Sequence, residues 1–136
     1  MLTAKQGKEV FLTVANEMGT LAKVAKVVAE RGINVLAMTC WVDVDAGYAH
    51  LVTDDTLRTV EALQKAGYDA QEQEVILIEA RHKPGILLHI ASTLADNKLD
   101  VEYLYASATV DQDVCLVVLR ASNNDRALVH LNARKQ

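Results

Sequence analysis

The sequence predicts an α+β chain made of two tandem β-α-β-β-α-β units. Each unit is an antiparallel sheet with its helices on one face. Two observations carry this. The chain repeats itself at a period of 66 residues, which places Gly19 on Gly85, Leu21 on Leu87, Ala25 on Ala91, Ala29 on Ala95 and Val35 on Val101. Within each copy the hydrophobic period also switches between strand-like and helix-like spacing in the same order. A period of this length implies a pair of small domains, since solenoid repeats are shorter. The expected division is 1–72 and 73–136.

Each element has its own signal. A short aliphatic strand opens each copy, Val10–Val14 and Val75–Ala80. A helix follows, with apolar positions at i, i+3, i+4 and i+7: Leu21, Val24, Ala25 and Val28, then Leu87, Ile90, Ala91 and Leu94. Gly32 is a natural stop for the first of these helices. The second copy has Lys98 there, so Asn97 is expected to take the left-handed position. Two strands come next, joined by short turns at Asp45-Ala46 and Asp111-Gln112. A second helix is expected at Thr56–Ala66 and at about Asn123–Asn132, with Asp54, Asp55, Ser122 and Asn123 as candidate N-caps. A last strand, Tyr68–Gln73, closes the first copy. Only Ala133-Arg134-Lys135-Gln136 follows the last helix of the second, so its final strand is expected to be missing or vestigial. This order is that of the ferredoxin-like split unit.

Side-chain alternation divides each sheet into two faces. Met38, Cys40, Val42, Val44, Ala49 and Leu51 form one apolar set, with Leu104, Ala106, Ala108, Val110, Cys115 and Val117 as equivalents. These are expected under the helices, with both cysteines as reduced core thiols. The other face carries Phe11, Trp41, Tyr48 and His50 in the first copy. In the second it carries Tyr103 and Tyr105 with Val75, Leu77, Val114, Leu116 and Val118. An open sheet face is polar when water covers it. A face this aromatic is expected to be covered, first by a second copy of the chain, alternatively by a flat ligand.

Composition excludes several functions. Net charge is −4 with no basic run, which argues against nucleic acid, and no apolar stretch is long enough to span a membrane. MLTAKQGKE lacks the apolar core of a signal peptide, so a cytoplasmic location is expected. The four histidines show no metal spacing, and no nucleophile–base constellation is visible. The chain is therefore read as a non-enzyme without cofactor or metal.

The only proline lies in Arg81-His82-Lys83-Pro84-Gly85, between an aliphatic strand and an amphipathic helix. Proline and glycine there make a turn that leaves the first N–H groups of the helix open to an anion. The first copy keeps the glycine, in Asn16-Glu17-Met18-Gly19, with Met18 in place of proline.

These glycine loops, NEMGTL and HKPGIL, resemble those of the ACT-domain family. So do RGINVLAM and NKLDVEYLY at the start of the next strands, DVEYLYASA, and LRASNNDRAL further on. The resemblance is to small tandem ACT proteins and covers residues 8 to about 132. It implies regulation by a small molecule, usually an amino acid: two units lie side by side through their second strands, and the ligand is held where the glycine loop of one meets the start of the second strand of the other. One such site would combine Asn16, Met18, Gly19, Thr20 and Leu21 with Asp100. The other would combine His82, Pro84, Gly85, Ile86 and Leu87 with Asn34. In both, the loop would take the ligand carboxylate and Asp100 or Asn34 its ammonium. The sites are chemically unequal, so at most one is expected to bind tightly. The charge of Asp100 favours the first, against Met18, which departs from the family's Pro-Gly pattern.

Acylphosphatases share the element order, but neither copy has their glycine-rich phosphate cradle. A homodimer is the expected assembly. Two other readings stay open: a regulatory subunit that binds a metabolic enzyme of amino-acid biosynthesis, and a structural dimer with degenerate sites. The strand Val75–Ala80 is expected to have an open edge for such a partner.

Overall fold

A computed structural model describes residues 2–133. The elements run β1 (Leu2–Ala15), α1 (Thr20–Glu30), β2 (Val35–Asp43), β3 (Ala46–Thr53), α2 (Thr56–Lys65) and β4 (Asp69–Arg81). They continue with α3 (Ile86–Asp96), β5 (Val101–Ser107), β6 (Val114–Ala121) and α4 (Asn124–Asn132). The six strands follow the order β2-β3-β1-β4-β6-β5 in an antiparallel sheet, consistent with two tandem ferredoxin-like units. The chain divides into two compact units. One is residues 8–73; the other joins residues 2–7 to residues 74–133.

In the first unit β1 pairs with β3 (Val10 opposite Leu51) and β3 with β2 (Cys40 opposite Ala49). Val10, Leu12 and Leu51 meet Val24 and Val28 of α1 and Leu63 of α2 in an aliphatic core. In the second unit Ile76 and Ile78 of β4 and Leu119 of β6 meet Ile90, Leu94 and Leu131 in the same way. Asp55 and Asn123 cap α2 and α4, each accepting from a backbone N–H three residues on.

No strand follows α4 among the described residues. Its place is taken by the first half of β1, whose Ala4 and Leu2 pack into the second core. Asn132 at the end of α4 ties this segment down. Ala4 N–H donates to its Oδ1 (3.0 Å), and its Nδ2 donates to the Ala4 carbonyl (2.8 Å). The edge expected to be open on Val75–Ala80 is therefore occupied, because β4 lies between β1 and β6.

Several local expectations are corrected. The first hairpin turns at Val44-Asp45, not Asp45-Ala46, since Asp43 pairs with Ala46. Val44 thus leaves the helix-facing set and is exposed. In the second unit the strands end sooner, at Ser107 and Val114, and Ala108 and Val110 stand exposed in the loop between. Ala106 is exposed as well. Lys98 (φ 59°), not Asn97, takes the left-handed position after α3. The helix stripes are rotated from expectation. Val24 and Val28, then Ile90 and Leu94, are buried, while Leu21, Ala25, Leu87 and Ala91 are exposed. Cys115 is buried as expected; Cys40 is exposed, because β2 is an edge strand that the helices only partly cover.

The face opposite the helices of the first unit is aromatic, as the alternation implies. Phe11 lies 4.9 Å from the His50 ring and 6.1 Å from Tyr48, and Trp41 lies 5.3 and 5.7 Å from the same two. In the second unit Tyr103 and Tyr105 stack at 6.4 Å. Beneath the rings of the first unit sits a fully buried Glu9, whose Oε2 is 2.8 Å from His50 Nδ1 and accepts from Gln73 Nε2 at 3.4 Å.

Candidate ligand cavity of the first unit

The glycine loop of the first unit is built by backbone geometry. Asn16 N–H donates to the Asp45 carbonyl, pinning the end of β1 to the β2–β3 turn. Gly19 then takes φ +84°, a left-handed conformation that an L side chain disfavours, and starts α1 without a side-chain cap. Thr20 N–H bonds the Glu17 carbonyl and Lys23 N–H the Gly19 carbonyl. Leu21 and Ala22, in the first turn of α1, have no backbone acceptor in this arrangement. The second unit repeats it: His82 N–H bonds the Asp113 carbonyl, and Gly85 (φ +93°) starts α3, again without a cap. The contrast is with α2 and α4, which are both capped.

Beside the first loop lies a cavity of about 270 Å³. That is at the small end of small-molecule sites, which span roughly 300–1,000 Å³. Leu12, Val24, Met38 and Ala49 form apolar walls, and Asn16, Glu17 and Thr20 contribute polar groups from the loop side. Leu21 and Cys40 line it from α1 and β2. Trp41 and Tyr48 line it too, although alternation turns their rings toward the opposite face, where they stack on each other.

Of the expected first-site residues, Asn16, Thr20 and Leu21 come together here. Gly19 shapes the loop, and Met18 is fully exposed and does not line the cavity. Asp100 belongs to the second unit, at the foot of β5. Its N–H donates to Ser122 Oγ (3.1 Å), its carbonyl accepts from Ser122 N–H (2.9 Å), and the residue is exposed. Asn34 precedes β2 and is tied to Asp54, to whose carboxylate its N–H and its Nδ2 both donate at 3.1 Å.

In the second unit His82, Pro84 and Gly85 are exposed, and Leu87 is half-exposed. Ile86, at the position of Thr20, packs against the core. β2 has β3 as its one sheet neighbour and β5 has β6, so the pairing of second strands implied by the resemblance does not occur within one chain.

Sequence reasoning missed Glu17, Met38, Cys40, Trp41 and Tyr48 as cavity residues. The signal was present in part: Met38, Cys40 and Ala49 share the helix-facing side of β2 and β3. Among the described residues no group of three His, Cys, Asp or Glu is arranged to hold a metal, and no helix is long and apolar enough to cross a membrane.

The chain matches the family model of the ACT domain pair over residues 3–135 and belongs to that family. Among solved structures it is similar to protein BT0572 from Bacteroides thetaiotaomicron. That pair is 26% identical with a TM-score of 0.86, covering 94% of this chain and 88% of the other. It is also similar in fold to the regulatory subunit of aspartate kinase from Thermus thermophilus, in its ligand-free form. There the identity is 19% and the TM-score 0.63, over 96% of this chain and 93% of that one. The Thermus flavus subunit gives the same identity and TM-score over 96% and 94%. No curated protein matches the chain by sequence.

Proposed function

We propose that this protein is a regulatory module that binds a small molecule, an amino acid, in the cavity beside Gly19, and has no catalytic role. The observation that carries the reading is the coincidence of that cavity with the uncapped start of α1. The free N–H groups of Leu21 and Ala22 suit the ligand carboxylate. Asn16 and Glu17 are the nearest polar partners for its ammonium. The second loop has the same backbone, but Ile86 packs where the first unit has Thr20, so one site per chain is expected. The Thermus proteins similar in fold are regulatory subunits, which is the kind of role proposed.

The site is completed by a second copy in this reading. β2 carries an unpaired edge with Val35, Leu36, Trp41 and Val42 exposed along it. Such an edge favours pairing with another strand. Pairing of this edge with the β5 edge of a second copy would bring that copy's Asp100, at the foot of β5, to the cavity mouth, as an ammonium partner stronger than Asn34. The same edge suits a metabolic enzyme under regulation, and co-purification of one would favour the subunit reading. A cytoplasmic location is part of the same proposal.

The test is thermal unfolding against each of the twenty amino acids at millimolar concentration. A ligand that binds the folded state raises the midpoint by mass action; at 100 times Kd the gain is about 2.7 kcal/mol. Gly19→Val and Gly85→Val place the same strain in equivalent loops. The first is expected to abolish the response and the second to keep it. Loss with Gly85→Val alone would move the site to the other loop, and silence from all twenty would end the amino-acid reading.

A further inference from the structure

From the lining of the cavity we infer the class of ligand: an amino acid with an uncharged, apolar side chain. The inference rests on the proposed function and adds selectivity to it. The polar groups are gathered at one end. Asn16 and Glu17 come from the loop and Thr20 from the first turn of α1, whereas Leu12, Val14, Val24, Met38 and Ala49 make up apolar walls. Such a cavity suits a molecule with a polar head and an apolar body, head toward the loop.

No lysine, arginine or histidine lines it, and Glu17, the one charged group, is exposed on the loop. A carboxylate or ammonium on the ligand's tail would be desolvated among aliphatic groups without a partner. Thr20 offers a tail carboxylate no compensation, because its hydroxyl hydrogen is spent on the Glu17 carbonyl at 2.9 Å, and it stands at the loop end, where a tail ammonium does not reach. Lysine, arginine, aspartate and glutamate are therefore excluded, and small polar amino acids would leave the apolar walls unfilled. The space, about 270 Å³, is ample for a free amino acid.

The second unit supplies an internal control. Ile86 stands where Thr20 stands and packs on its core, so an isoleucine side chain is compatible with this fold at this point. Thr20→Ile is expected to fill the first cavity and leave the unit folded.

The chain's single tryptophan, Trp41, lies on the strand that lines the cavity with its ring on the opposite face, so its emission reads binding through β2 and the thermal midpoint is followed beside it. Titrations with leucine, methionine and phenylalanine are expected to shift it and saturate. Lysine and aspartate should bind weaker by on the order of 100-fold. Thr20→Ile should abolish the shift with unfolding midpoint preserved. Should that variant fail to fold, Cys40→Phe on the exposed edge strand narrows the same space. Lysine or aspartate binding as tightly as leucine would overturn the apolar class and leave the amino-acid reading standing. Silence from every amino acid, in emission and in thermal midpoint, would overturn both. An undiminished leucine response in folded Thr20→Ile and Cys40→Phe would place the site outside this cavity and overturn the inference.

Discussion

Among the described residues, two sit in backbone conformations their side chains disfavour. Val44 (φ 56°) opens the β2–β3 turn, and Lys98 (φ 59°) follows α3. In the first unit the place of Lys98 is held by Gly32 at φ 68°. A left-handed L residue costs about 1–2 kcal/mol, partly offset by the larger entropy a glycine loses on folding. Lys98→Gly is therefore expected to stabilise the protein by about 0.5–1 kcal/mol, and Val44→Asn by a similar amount. Urea unfolding measures both, and a lower midpoint for Lys98→Gly would contradict this account. The sequence misplaced the left-handed position after α3 for a local reason. Asparagine tolerates the left-handed region better than lysine, so local preference pointed to Asn97. The hydrogen bond of Leu99 N–H to the Leu94 carbonyl, however, sets the exit from α3, as that of Ile33 to Val28 does from α1. The buried Glu9 was illegible on the same grounds, since its partners His50 and Gln73 are remote in sequence and only the sheet register joins them.

Among elements, those with internal periodicity were readable and those defined by their neighbours were not. All four helices follow from apolar spacing, and both hairpins follow as strand pairs, but not their turns. The length of β1 does not. Leu2 to Lys8 alternates weakly and carries few apolar groups, so its strand character comes from β4 and α4. The twin hydrogen bonds between Ala4 and Asn132 hold that segment against the second core. Asn132→Ala removes both and leaves a part-buried N–H and carbonyl to find water. A net intramolecular hydrogen bond contributes about 0.5–1.5 kcal/mol. The expected loss is about 1–3 kcal/mol, with hydrogen exchange accelerating first in residues 2–7. Unchanged protection there would show that side-chain burial of Ala4 suffices without the bonds. The rotated helix stripes also belong at this scale. Leu21 and Leu87 fit the period as well as Val24 and Ile90 do, and the crossing of helix over sheet decides which are covered.

For the whole chain, the structure forms two compact units that are not consecutive segments. Residues 2–7 lie with residues 74–133. A period found by sliding the sequence along itself compares local patterns, and it carries no information about a strand contributed from the far end of the chain. The consequence is testable by dissection. A fragment of residues 74–136 lacks the strand beside β4 and exposes the edge and core face that Leu2 and Ala4 cover. A domain of that size is marginal even when complete, because small domains bury a small share of their surface. The fragment is expected to show no cooperative thermal transition by circular dichroism. Residues 1–7 linked after residue 133 through a flexible spacer should restore one, since the cost of closing a longer loop grows only slowly with length. Cooperative unfolding of the unassisted fragment would show that the second unit is self-sufficient and that residues 2–7 only decorate it. Restoration by the linked segment, and not by one carrying Ala4→Asp, would place the missing strand's energy in the contact of Leu2 and Ala4 with the second core.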